Sequence, residues 1–155
     1  MTFLRKGDQL EIQAEVQDND HCTPKINAFV WQNDCIQVGL LNQRGEHVEF
    51  TLSALPDKSA IIWNHIYPGE GGSMTGRKLP NSICKVTRVN NRTHYYALIP
   101  LKEIRLTGAT NETFKLACLV NDNDANRRLR YMEWFGGIQP TKNTALFAKA
   151  AWLEN

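Results

Sequence analysis

The sequence predicts an all-β fold of antiparallel strands, a sandwich or a barrel, with one short helical turn. Two observations carry this. Residues 9–17 alternate without a break, with Leu10, Ile12, Ala14 and Val16 on one face and Glu11, Gln13 and Glu15 on the other, which is the pattern of a strand buried on one side. Similar short runs then recur at regular intervals, separated by Asn, Asp, Gly and Pro clusters that punctuate the backbone. The 155 residues are 42% hydrophobic, enough for one domain over 1–155 to bury a core without disulfides or metals.

The elements follow in order. Asp18-Asn19-Asp20-His21 closes the first strand as an Asx turn, because these side chains bond their own backbone amides. Residues 23–31, with Pro24, form an irregular approach. The strand at 35–40 turns Ile36, Val38 and Leu40 inward and Cys35, Gln37 and Gly39 outward, and Gly39 leaves space above Gln37. After a turn ending at Gly45, residues 48–54 place Val48, Phe50, Leu52 and Ala54 inward and Glu49, Thr51 and Ser53 outward. The strand at 60–66 carries Trp63. Residues 67–80, with Gly69, Gly71, Gly72, Gly76 and two prolines, read as a long surface loop. Strands at 82–89 and 93–99 meet in a tight hairpin at Asn90-Asn91-Arg92, and Pro100 opens a helical turn to Ile104. A central strand at 114–120 runs into an Asx-rich turn at 121–126. An arginine- and aromatic-bearing strand at 128–134 follows, broken by Gly136-Gly137. Residues 142–147 lead into a last strand ending near Leu153.

Composition excludes several functions. A net charge of +2, with basic residues scattered apart from Arg127, Arg128 and Arg130, does not make a phosphate-tracking stripe, so no nucleic-acid partner is expected. The four cysteines lack metal-ligand spacing, and three lie in strands as small core residues. No apolar stretch follows the charge at Arg5-Lys6, so no signal peptide is read, and no run is long enough to span a membrane. The expectation is a cytoplasmic chain if complete, or a piece of a longer secreted protein. The histidines (His21, His47, His65, His94) fall on different elements, and no Gly-x-Ser-x-Gly elbow exists. Glu49 and Glu133 read as solvated strand carboxylates. The chain is therefore read as not an enzyme.

Binding chemistry is better supplied. A pyranose offers hydroxyls and a flat C–H face, so a binder needs an aromatic platform with planar amides or fixed cations. Trp31, Trp134, Gln37, Asn121, Arg130 and Lys142 are the right types. Trp31 lies outside a strand, beside Gln32 and Asn33. Two oxygen-rich clusters, Asp18 with Asp20 and Asp122 with Asp124, have the hard donors that calcium takes.

Val120-Asn121-Asp122, the run 127–134, Gly137-Ile138, Lys142 and Leu146-Phe147, with Trp31-Gln32-Asn33-Asp34-Cys35-Ile36-Gln37-Val38 upstream, form an ordered set. In that set the chain resembles family 9 carbohydrate-binding modules over roughly 8–153, with the family's first strand or two absent. The resemblance implies an antiparallel β-sandwich of jelly-roll or immunoglobulin-like type. It also implies a non-catalytic ancillary domain that recognises a small sugar or polysaccharide end, and structural calcium. By the same resemblance Trp31 matches one of two tryptophans that clamp the sugar, and Asn121 matches a polar ligand contact. Gln37 stands in place of a glutamate, Thr51 lies near an arginine's place, and Leu119 replaces a glutamine. The second clamping aromatic falls around 139–142, where this chain has none. Two alternatives stand: a structural or interaction module that has lost the sugar site, and a haem-binding electron-transfer relative with Met132 and His65 as axial ligands.

Overall fold

A computed structural model describes residues 1–25, 27–66, 76–124 and 127–153, without the side chains of residues 27, 28 and 127–129. Its strands are β1 (Thr2–Lys6), β2 (Gln9–Gln17), β3 (Cys35–Leu41), β4 (His47–Ala54), β5 (Ala60–Ile66), β6 (Arg77–Lys78), β7 (Ile83–Val89), β8 (Arg92–Pro100), β9 (Thr113–Asp124), β10 (Arg127–Trp134) and β11 (Ala148–Ala151). They form two antiparallel sheets, one ordered β1-β2-β8-β7 and the other β10-β9-β3-β4-β5-β6, with β11 also paired to β9. The fold is the expected all-β sandwich.

Alternation decides which face each strand buries. Leu10, Ile12, Tyr95, Ala97 and Ile99 of the smaller sheet meet Ile36, Val38, Leu40, Phe50, Leu52 and Cys118 of the larger in one core. Residues such as Phe50 and Ile36 are wholly buried, each contributing about 1.5–3 kcal/mol relative to exposure. The hairpin between β7 and β8 turns on Asn90 and Asn91 at φ 49° and 60°, the left-handed pair that suits strand twist. The helical turn is 3₁₀, Leu101–Ile104, with Leu101 and Ile104 buried.

Four departures have physical causes. β1 has no alternating pattern because only Phe3 is partly covered; pairing with β2 makes it a strand. Residues 121–124 do not turn but continue β9 against β10. Tertiary bonds override the Asx preference there: the Asn123 amide N–H donates to Asp34 Oδ1 at 2.8 Å and its side chain donates to the Gln32 carbonyl. The turn at 125–126, like most of the 67–80 loop, lies outside the described residues, but Arg77–Lys78 pairs with β5. The irregular approach contains a 3₁₀ segment, Asn27–Gln32, which packs against β3, β4, β5 and β9.

The outer face of the larger sheet carries a second, smaller cluster of Ala117, Leu119, Ile138 and Phe147, so the segment after β10 folds back over this sheet. Phe147 fills the space expected above Gly39, where a Cβ would fall 2.6 Å from the ring.

Candidate functional site

The outer face is polar where the apolar cluster stops. Cross-strand pairing aligns Trp63 (β5), Thr51 (β4), Gln37 (β3), Leu119 (β9) and Glu133 (β10) in one row, with Ser53, Cys35, Asn121 and Tyr131 in the next, and directly opposed side chains share a face. Gln37, Thr51, Ser53, Glu49 and Asn121 are all buried. Buried polar groups must be hydrogen-bonded; Ser53 donates to the Ala54 carbonyl, and Asn121, Gln37 and Glu49 bond one another. Asn121 Nδ2 donates to Gln37 Oε1 at 2.9 Å, Gln37 Nε2 donates to Glu49 Oε1 at 3.3 Å, and Lys142 Nζ closes the chain on Glu49 Oε1. A bulge pairs Glu49 with Ile66 but Phe50 with Asn64. His65 is the extra residue, and its Nε2 lies 2.7 Å from Thr51 Oγ1.

The electrostatics follow from burial. Desolvation raises the Glu49 carboxyl, and the Lys142 ammonium opposes it. His47 and His65 are lowered to about 4, first by burial and then by the Lys142 charge, so both are neutral near pH 7. Glu49 Oε2 and His47 Nε2 are 4.0 Å apart. Glu133, expected on open surface, accepts from the Ile138 and Gln139 amides at 2.6 and 3.3 Å, and so moors the returning segment. Lys142, at φ 54°, remains about 30% exposed at its side chain.

Through Glu49 the structure brings Gln37, Asn121 and Lys142 together. Trp31 is half-buried on the 3₁₀ segment at the same end of the sheet, where Asn123 bonds the Gln32 carbonyl. Trp134 is not part of this face. It pairs with Cys118, a core-side residue, and is 42% exposed on the opposite face of β10. Arg130 is exposed and ion-paired to Asp122. Glu49 went unrecognised because an outward carboxylate on a strand carries no sequence mark of the lysine that will cover it.

The acidic residues regroup. Asp18, Asp122 and Asp124 bring carboxylate oxygens within 4.8 Å of one another, and Asp18, His21 and Asp34 form an overlapping group. Asp18, His21, Asp34 and Asp122 line a cavity of about 280 Å³ between the sheets. Asp18 Oδ2, Asp124 Oδ1 and Asn123 Oδ1 are buried and accept no hydrogen bond, although Arg88 Nη1 stands 3.6 Å from Asp18 Oδ2. Burial raises Asp34 to about 7 despite two backbone donors. Burial lowers His21, and Arg88 adds to that. Asp20 is exposed and outside both groups; its amide donates to Asp18 Oδ1 at 3.1 Å.

No known family's sequence profile matches the chain, and no curated protein is significantly similar to it in sequence. Solved structures do match. A family 9 carbohydrate-binding module from Caldicellulosiruptor kristjanssonii in complex with glucose superposes at TM-score 0.71 with 14% identity, covering 99% of this chain and 75% of that one. The chain has the fold of a family 9 carbohydrate-binding module. The same kind of module from that organism in complex with cellotriose gives TM-score 0.68 at 14% identity, over 97% of this chain and 72% of the other. In this family 9 fold the proposed haem ligands are far apart. Met132 is 62% exposed on the core-side face of β10, whereas His65 is buried on the outer face of β5. Four interstrand steps, about 19 Å, separate their strands, so the two cannot ligate one iron.

Proposed function

We propose that this chain is a non-catalytic carbohydrate-binding domain that holds a small sugar, or the end of a polysaccharide, at the outer face of its larger sheet. The single observation that carries the reading is the joined pair of amides, Asn121 and Gln37, on the outer face of a fold shared with modules solved with glucose and with cellotriose. The floor residues orient one another through Glu49, and the groups left to meet a ligand are at the rim. Trp31 supplies an apolar platform and Lys142 a fixed donor. Leu119, in place of a glutamine of the resembling family, and Thr51, near an arginine's place, make this floor less polar, which favours a weak site. Isothermal titration with glucose and cellotriose tests it: binding is expected in the wild-type chain and lost in Trp31→Ala with little change in melting temperature. Unchanged binding in Trp31→Ala, or none in the wild type, counts against the reading.

Calcium fits the acidic end of the cavity. Asp18, Asp122 and Asp124 would hold it, all hard oxygen donors, with Asp18 Oδ2 and Asp124 Oδ1 buried and without a hydrogen bond. Bound there, the ion would neutralise clustered carboxylates and tie the end of β2 to β9. It has no assigned part in sugar recognition beyond fixing the strand that carries Asn121.

A further inference from the structure

Beside the carboxylates assigned to calcium stands a group that contains a histidine. Asp18 and His21 follow β2 and Asp34 precedes β3, and each offers a ligand atom within 4.8 Å of the other two. The connection 18–34 thus brings its two ends together, with all three side chains against the cavity between the sheets. They are well shielded. The side chains of Asp18 and His21 are 8% and 10% exposed, and Asp34 is 4% exposed. Asp18 Oδ2 and His21 Nε2 nevertheless have no hydrogen bond, which costs stability in a buried site. The donors are also held from behind, as metal ligands are. Asp34 accepts from the Cys22 and Asn123 amides and keeps a lone pair on each oxygen, while His21 Nδ1 is 3.5 Å from Thr93 Oγ1.

One nitrogen with two carboxylates discriminates among cations. Calcium takes six to eight oxygens, whereas zinc is four-coordinate and binds imidazole nitrogen and carboxylate oxygen at about 2.0–2.2 Å. Two donors on one such ion stand at most about 4.4 Å apart, a spacing this group nearly has already. Arg88 Nη1, 3.6 Å from Asp18 Oδ2, is the charge that opposes an ion here and holds its affinity to a moderate level.

We propose that Asp18, His21 and Asp34 form a site for a transition-metal dication of the zinc type, with water as the fourth ligand. The ion satisfies Asp18 and His21 and joins the two ends of the connection that carries Trp31. Asp122 and Asp124, which complete the calcium group, take no part in it. Sugar binding on the outer face is not required for it.

The test is isothermal titration of zinc chloride into the chelator-treated wild-type chain, His21→Ala, His21→Gln and Asp124→Asn, with folding of each checked by thermal melting. One zinc ion per wild-type chain is expected. Loss of a ligand should weaken it at least about tenfold in both His21 variants, and Asp124→Asn should leave it unchanged. A wild-type chain that binds no zinc would overturn the site. So would zinc bound as tightly by the folded His21 variants, which would move the ion to another group such as His94 with Glu15. Zinc weakened by Asp124→Asn as much as by His21→Gln would place it in the calcium group and overturn the proposal equally. Should His21→Ala fail to fold, His21→Gln, which keeps a polar side chain at that position, decides.

Discussion

Replacing Lys142 with methionine isolates the interaction that holds the polar floor. Glu49 is completely buried and its Oε1 accepts from Lys142 Nζ as well as from Gln37. Removing one partner of a buried pair leaves an uncompensated charge and typically costs about 3–5 kcal/mol. Lys142 is about 30% exposed at its side chain, so the lower end, about 3 kcal/mol, applies. For a chain of this length that is a fall of about 6–12 °C in melting temperature. The loss should depend on pH with a fixed sign. Burial already raises Glu49, and a raised carboxylate contributes stability that is present below its unfolded value and lost as pH rises through the folded one. Taking away the Lys142 charge raises Glu49 further, so the deficit is largest at alkaline pH. His47 and His65 act in the same direction. Their folded values, near 4 through burial and the Lys142 charge, make their contribution present above about 6.5 and lost as pH falls toward 4. Removing the charge relaxes that loss. Urea unfolding followed by tryptophan fluorescence, wild type against Lys142→Met, should therefore show a deficit at pH 8 that shrinks at pH 5. Adding Glu49→Gln should recover more than half of it. Equal deficits at both pH values would refute the buried-pair account.

Two further outcomes follow from the same geometry. Gly39→Ala would drive a methyl into the Phe147 ring, 2.6 Å from its nearest atom, and overpacking of this kind costs about 1–3 kcal/mol. Thermal melting checks it, and no loss would mean that Phe147 does not rest on β3. Calcium in excess should raise the melting temperature relative to a chelated sample, since binding to the folded state alone stabilises it. Asp124→Asn should diminish that shift, and identical melting with chelator and with calcium would remove the ion from the account.

The fold was readable where one face of a strand is buried against water on the other. Gln9–Gln17 and His47–Ala54 show this, because alternation is a direct imprint of the core. It was unreadable where partners came from elsewhere in the chain. Asn121 and Asn123 looked like turn formers, and only Gln37, Asp34 and the Gln32 carbonyl make them strand residues. The amide pair of the candidate site could be named from residue type, but residue type alone could not separate Trp134 from it, because only the strand register shows Trp134 opposite Cys118. Glu49 escaped notice for a related reason. Its significance lies in Lys142 and Gln37, neither of which is adjacent in sequence. The Asp18 cluster was divided into two candidate sites that the fold joins, except for Asp20.

The most direct measurement is a nitrogen-15 NMR titration of the chain with glucose, following the side-chain amides and indoles. The account predicts saturable shifts of the Gln37 and Asn121 side-chain NH₂ signals together with the Trp31 indole, since Asn121 is joined to Gln37 and the segment carrying Trp31 is tied to β9 at Asn123. Shifts confined to residues around Asp18 and Tyr95 in the cavity between the sheets, or none at all, would contradict it.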